Sequence, residues 1–361
     1  MTKKIVVIGP FPLPVSGVSL ANEVIAKGLK GKNWEVKQIN TEFASGVSDR
    51  HGTISMEKAR FFKCYLEAYK IIATKIVYIT IGQSFLGVVK YLPFMMLSKF
   101  LGKTLVVHLH GNHLLEEYNQ LKGSKKKIFG KLIAMFDYGI VLSKSLRKNF
   151  EPFIKPENIF ELNNFFEDSL VIPEEELLQV KEYSTLKVGF LSNLIEEKGI
   201  NVLLKAIQLI REKGIKIDLK VAGNKVIEND LTELFAKNEV DYKGVLYGEA
   251  KKDFLRDCNV FCLPTYYKME GQPISILEAM SLGNLILTTN HAGIADICNE
   301  DNAVFCEKNN VADLAEKLET LYYNPQIIEK KGRYNITYAK ERFTEEHFII
   351  NATTLLEKCI N

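Results

Sequence analysis

Long apolar runs are missing from these 361 residues. The greasiest stretch, Phe85 to Leu101, is interrupted by Lys90, Pro93 and Lys99, so it falls short of the ~18 unbroken apolar residues a spanning helix needs. A secretory leader is not visible either, because the apolar run Ile5 to Ile8 stops at Gly9 and Pro10. Both absences predict a cytoplasmic protein. Cysteine is sparse: Cys64, Cys258, Cys262, Cys298, Cys306 and Cys359 follow no framework spacing, which argues against a disulfide-stapled fold. Cys258 and Cys262 have no further metal ligands close in sequence and read as buried thiols. The chain also lacks a GxGxxG fingerprint after its first strand-like run, which weakens a dinucleotide-cofactor reading. Net charge is only +3, and the aromatic residues are not interleaved with basic ones as a nucleic-acid stacking platform would require.

What is present is the composition of a soluble globular protein, 47% hydrophobic and 25% charged, at a length natural for two domains. Short β-branched runs alternate with helical patterns. KIVVIG, WEVKQIN, KIVYITIG, KTLVVHLHG, YGIVLS and NIFELNN fill the first half. LKVGFLS, IDLKVAG, VDYKGVL, NVFCLPT, LILTT and AVFCEK repeat the rhythm in the second. This alternation predicts two parallel α/β sheets, each Rossmann-like, facing a central cleft. Domain boundaries follow: 1–168, an acidic Pro-containing linker at 169–186, a second domain at 187–340, and a final helical segment at 341–361. Open parallel sheets bind ligands at the carboxyl ends of their strands, so the residues just after each strand are the candidates for chemistry.

Charge is unevenly divided, with 24 Lys and Arg against 14 Asp and Glu in residues 1–170. The basic residues concentrate in KGSKKKIFGK, Lys122 to Lys131, beside Ile128, Phe129, Leu132, Ile133 and Phe136. That pattern predicts either a solvated helix with a buried apolar side or contact with an anionic membrane surface.

The stretch YYKMEGQPISILEAMSLGNLILTT, Tyr266 to Thr289, places two carboxylates around a helix start. Pro273 suits the first helical position, Gly271 allows close backbone approach, and the uncovered N–H groups of Gly271, Gln272 and Ile274 favour an anion. Glu270 beside that end can accept from sugar hydroxyls, and Glu278 in the second turn can reach a second polyol such as a ribose. Together they suit a nucleotide-diphosphate sugar. Earlier in the chain, Ser16 and Gly17 open a helix after a proline-stiffened loop, and His110 follows a strand in HLHGN, with His108 expected to pack inside and His113 a weaker candidate.

Glu270 and Glu278 in E-x7-E spacing, followed by the EAM-x-x-G stretch (Glu278, Ala279, Met280, Gly283), resemble the signature of the retaining GT-B glycosyltransferases of family 4, the group 1 glycosyltransferases. The resemblance implies the two-domain GT-B architecture, with a last helix that crosses back to the first domain. It implies that Ser16 and Gly17 stand where the family's Gly-Gly loop approaches the donor phosphates, and that His110 lies near the donor sugar. Lys198 matches a lysine that grips the diphosphate, while Asn193 occupies the place of the family's arginine, with Arg147 a possible substitute cation. Gly223 falls where the nucleotide meets the sheet edge. The activity implied is transfer of a hexosyl unit, with retention, from a nucleotide-diphosphate sugar to a glycan. A UDP-sugar is the preferred donor and a lipid-linked glycan in bacterial surface polysaccharide assembly the preferred acceptor. Glu270, His110 and Lys198 would act in catalysis. Gly271, Gln272, Pro273, Ile274 and Glu278 would hold the donor. No Asp-x-Asp motif is present, so no metal cofactor is expected. A non-catalytic glycan-binding protein on a degenerate fold, or a nucleotide-sugar epimerase, are the alternatives.

Overall fold

The computed structural model describes residues 2–42, 60–225 and 231–360. They form two compact units. The first comprises Met1–Asn164, Met269–Gln272 and Glu346–Asn361, and the second Phe165–Lys268 and Pro273–Glu345.

The first unit is built on six parallel strands: β1 (Lys4–Gly9), β2 (Glu35–Asn40), β3 (Ile76–Thr80), β4 (Thr104–Leu109), β5 (Tyr138–Val141) and β6 (Ile159–Glu161), in spatial order β2-β1-β3-β4-β5-β6. The central strands are Val- and Ile-rich and buried on both faces, as a parallel sheet covered by helices requires. Strand order reverses between β1 and β3, whose carboxyl ends lie side by side. A β-carbon on Gly9 would stand 1.9 Å from Thr80 Oγ1, so only glycine fits there. Asn22, from the helix Gly17–Gly31, ties the two strand ends together by donating to the Pro10 carbonyl at 2.8 Å and to Thr80 Oγ1 at 2.9 Å. The last helix, Glu345–Lys358, returns to this unit: Ile349 covers Gly28, and Lys3 pairs with Glu357.

The second unit has the strands β7 (Lys187–Leu191), β8 (Asp218–Ala222), β9 (Asp241–Tyr242), β10 (Val260–Leu263), β11 (Leu285–Thr289) and β12 (Ala303–Cys306), in order β12-β11-β10-β7-β8-β9. All its pairings are parallel, and the order reverses between β7 and β10. That reversal opens a crevice above the carboxyl ends of these two strands. The residues expected as a linker, 169–186, belong to this unit, where Leu170, Ile172, Leu177, Tyr183 and Leu186 are part of the hydrophobic core. Their acidic, proline-bearing sequence hides apolar residues spaced to face inward. The described cysteines are unpaired and buried.

Candidate active site

In the second unit the crevice between β7 and β10 is furnished by one short segment. The 3₁₀ turn Glu196–Lys198 ends at Gly199, whose φ of 86° is left-handed and whose β-carbon would lie 2.4 Å from the Pro264 carbonyl oxygen. Backbone here passes too close to the loop after β10 for any side chain. The Glu197 carbonyl locks the contact by accepting from the Tyr266 N–H at 2.8 Å and from Thr265 Oγ1 at 3.2 Å. Lys198 is thereby fixed at the switch point, its ammonium 5.0 Å from the centre of the Tyr267 ring. Tyr267 is held in turn: its N–H donates to Thr265 Oγ1 at 3.2 Å and its carbonyl accepts from His291 Nε2 at 2.8 Å. Lys308 donates to His291 Nδ1 at 2.9 Å, which defines a neutral imidazole protonated on Nε2.

Beside this crevice, Gly223 ends β8 with φ 141° and its hypothetical β-carbon 1.7 Å from the Ser192 carbonyl oxygen, so the ends of β7 and β8 nearly touch. Asn193 follows Ser192 and is exposed. Arg147 belongs to the first unit. It donates to the carbonyls of Ile159 at 2.6 Å and Pro156 at 2.8 Å and pairs with Glu161 at 3.4 Å, which commits it to the start of β6.

The helix Ile274–Ser281 begins one residue later than expected, with Pro273 as its extended N-cap rather than its first helical residue. Glu278 still falls in its second turn and is only 3% exposed. Its Oε1 accepts from Lys251 Nζ at 2.6 Å, and Lys251 also pairs with Glu167. Burial raises the Glu278 pKa, and the Glu167 carboxylate pushes the same way, while Lys251 pulls it down. For Lys251, burial opposes its charge but Glu278 and Glu167 outweigh it, so its pKa is raised.

In the first unit, residues 269–272 are clamped at both ends. Gln83, just past β3, donates from Nε2 to the Met269 carbonyl at 3.2 Å while its Oε1 accepts from the His113 N–H at 2.6 Å. At the other end Gln272 Oε1 accepts from the Asn164 N–H at 2.6 Å, the Gln272 carbonyl accepts from Asn164 Nδ2 at 2.7 Å, and Gln272 Nε2 donates to Asn163 Oδ1 at 3.0 Å. Between them Gly271 passes against the His110 carbonyl. Glu270 and Gln272 are both buried. Gln272 thus serves as a clamp for the loop, a role that sequence spacing does not reveal.

His110 sits at the carboxyl end of β4, its ring 4.0 Å from that of His108. Burial depresses its pKa to about 3, so it is a neutral imidazole at physiological pH. Its Nε2 is buried without a protein partner. His108 is fully buried, also neutral, and bonded to the Tyr78 hydroxyl through Nδ1. His113 is buried with Nδ1 3.1 Å from Glu116, a helix-start contact. Ser16 caps the helix that Gly17 opens: its hydroxyl accepts from the Ser19 N–H at 3.1 Å and its own N–H donates to Ser19 Oγ at 2.7 Å. Both residues are exposed. The first unit therefore brings together His110, Glu270, Gly271 and Gln272, and the second places Lys198, Asn193 and Gly223 on adjoining strand ends. Glu278 sits on its own helix, in the ion-pair cluster with Lys251 and Glu167. Among the described residues no group of three or more His, Cys, Asp or Glu could hold a metal ion.

Residues 176–342 match the family model described as glycosyl transferases group 1. An uncharacterized glycosyltransferase of Haemophilus influenzae is 25% identical over 255 residues, 67% of this chain and 70% of that protein. The capsular polysaccharide biosynthesis glycosyltransferase CapM of Staphylococcus aureus is 26% identical over 163 residues, 44% of this chain and 42% of its own. Among solved structures, Anabaena HepE in complex with UDP superposes with a TM-score of 0.73 at 14% identity, covering 98% of this chain and 100% of its own. The architecture of two parallel six-stranded sheets is that of the GT-B glycosyltransferases.

Proposed function

We propose that the chain is a retaining glycosyltransferase of the family 4 type, moving a hexosyl unit from a UDP-sugar to a lipid-linked glycan during bacterial surface polysaccharide assembly. The observation that carries the reading is the position of Lys198 at the strand-order reversal of the second unit, hydrogen-bonded through its own turn to the loop that runs on into Glu270. A cation at a topological switch point suits a diphosphate, and the group 1 match over residues 176–342 and the UDP bound to HepE support that ligand. The name of CapM supports a polysaccharide acceptor.

In this reading Lys198 and the N–H groups of Gly17, Gly271, Gln272 and Ile274 stabilise charge on the departing diphosphate. Glu270 accepts from the sugar hydroxyls and stabilises positive character at the anomeric carbon. The neutral His110 imidazole offers Nε2 to the donor sugar, and Glu278 accepts from the ribose. Catalysis is electrostatic and positional, with no metal required. Release of nucleoside diphosphate from a panel of UDP- and GDP-sugars, with lipid-linked glycan as acceptor, tests the reading. Turnover with at least one donor, lost in Glu270→Ala and Lys198→Ala, is the expected result; donor binding without turnover on any acceptor would favour a glycan-binding protein, the reading that Asn193 supports.

Peripheral membrane association fits an acceptor carried on lipid. Among the described residues no helix is long and apolar enough to cross a membrane. In the basic helix Gly123–Ile133, Phe129, Leu132 and Ile133 turn into the core, as does the following Phe136, Lys126 lies 4.6 Å from the Tyr118 ring centre, and Ile128 is left exposed. Apolar side chains are exposed elsewhere on the first unit. In the 3₁₀ helix Arg60–Ile71 and its end, Leu66, Tyr69 and Ile72 recur every three residues and so share one face. The neighbouring helix Leu92–Phe100 exposes Met96 and Phe100, one turn apart.

A further inference from the structure

Glu278 is a carboxylate placed where water cannot solvate it. A buried carboxyl group with a second carboxylate beside it ordinarily keeps or shares a proton, because two like charges out of water are costly. The second unit answers this with one ammonium. Lys251, itself 8% exposed in the helix Gly248–Asp257, bonds Glu278 Oε1 at 2.6 Å and also pairs with Glu167, just before the short turn Asp168–Leu170. Three elements distant in sequence thus converge on a charge cluster with one positive and two negative members.

The state of Glu278 decides what it can recognise. A protonated carboxyl carries a donor and can turn it toward any neighbour. An ionised one is acceptor only, with roughly four lone-pair sites, of which the Lys251 ammonium takes one at Oε1. A vicinal diol presents two hydroxyl donors, and two acceptor sites on a fixed carboxylate match it.

We infer that Lys251 is a positioning residue for the nucleotide: it holds Glu278 as a fixed, acceptor-only carboxylate for the ribose diol, and Glu167 is the second carboxylate that anchors the Lys251 ammonium. The inference rests on the reading that Glu278 meets the ribose. Lys251 does not touch the ligand in this scheme. It acts through Glu278, and its loss should appear as a loss of sensitivity to the ribose hydroxyls.

The test is calorimetric titration of the full chain with UDP and 2′-deoxy-UDP, and in parallel with GDP and 2′-deoxy-GDP, for wild type, Lys251→Met, Lys251→Arg and Glu278→Gln. Wild type should bind the ribonucleotide about tenfold more tightly than its deoxy form. Lys251→Met should weaken ribonucleotide binding about tenfold and bring the ratio close to one. Lys251→Arg, which keeps the cation, should preserve most of the ratio. A general loss of structure would weaken both nucleotides alike and leave the ratio intact, so the ratio separates positioning from scaffolding. If the methionine chain does not fold, Lys251→Gln, which keeps hydrogen-bond donors without charge, should show the same loss of ratio. If Glu278→Gln abolishes the ratio while the Lys251 variants retain it, the role of Lys251 is overturned and the ribose reading stands. If Glu278→Gln retains it, or wild type binds neither nucleotide, the ribose reading falls and the role of Lys251 with it.

Discussion

A β-carbon placed on Gly271 would stand 2.4 Å from the carbonyl oxygen of His110. The backbone of the Glu270 loop therefore lies directly against the end of β4, and only hydrogen is small enough to separate them. Gly271→Ala must push residues 269–272 away from His110 while Gln83 and Asn164 hold the loop's two ends. Overpacking of this kind costs about 1–3 kcal/mol. Because the displaced segment carries Glu270, turnover should fall by about tenfold or more while the far-UV spectrum stays native. Unchanged kcat/KM in the alanine variant would show that the close approach does not position Glu270.

Much of this was legible in the residues. All twelve strands among the described residues lie within runs readable from the chain, and the central ones are Val- and Ile-rich because a parallel strand buried on both faces leaves no place for polar alternation. Glu278 was placed in the correct helical turn for the same local reason. The clamps on the Glu270 loop were not legible: Gln83 and Asn164 meet it across 186 and 108 residues of sequence, and nothing local marks them. Nothing local marks Lys251 as the partner of Glu278, 27 residues further on. Arg147 was offered as a possible substitute cation because it follows a strand; its bonds to two carbonyls at the start of β6 were not legible. For the basic helix, amphipathic periodicity says that a face is apolar and not whether the core or the exterior receives it; Phe129, Leu132 and Ile133 go to the core.

His110 gives the fold an acid limit. Its imidazole ionises near 6.5 when unfolded and near about 3 when buried, so between these values the unfolded chain binds a proton that the folded chain refuses. Stability must then fall as pH is lowered from 6.5 toward 3. His110→Gln removes this contribution and should flatten that limb of a urea-midpoint profile, leaving the part due to His108, which burial depresses as well. An identical slope in wild type and variant would show that His110 is protonated when folded.

Lys181 predicts a second pH dependence, at the other end of the scale. Its ammonium is buried and donates to the carbonyls of Leu282 at 2.7 Å and of Leu255 and Arg256 at 3.2 Å, with Asn284 Oδ1 at 3.3 Å. Burial nonetheless brings its pKa from 10.5 down to about 7. Between those values the unfolded state holds the proton more firmly than the folded one, so stability should rise with pH across that window. Lys181→Met should erase the rise. At pH 7 the variant also leaves the carbonyls at the ends of two helices without their shared donor, which costs about 2–4 kcal/mol and should be visible in the urea midpoint.

The exposed apolar residues of the first unit make the membrane proposal specific. Phe100 is 86% exposed and Leu66 81%, values that core-facing residues of amphipathic helices do not have. Their two helices pack together through Tyr65 and Phe94, whose rings meet edge to face at 5.2 Å, so the outward residues are carried on one supported surface. Lys63, exposed on the first of these helices, can meet anionic headgroups, whereas Lys99 on the second pairs with Asp137 at 2.6 Å. Burying a large apolar side chain at a bilayer interface is worth about 1.5–3 kcal/mol. Phe100→Ser with Leu66→Ser should therefore weaken binding to vesicles of mixed neutral and anionic lipid by about tenfold or more in a sedimentation assay. Replacing Lys125, Lys126 and Lys127 by glutamate should have the smaller effect, because Lys126 rests on Tyr118 and its helix turns its apolar side inward. The opposite ranking would return the contact to the basic helix, and vesicle binding unaffected by either set would remove the membrane from the proposal.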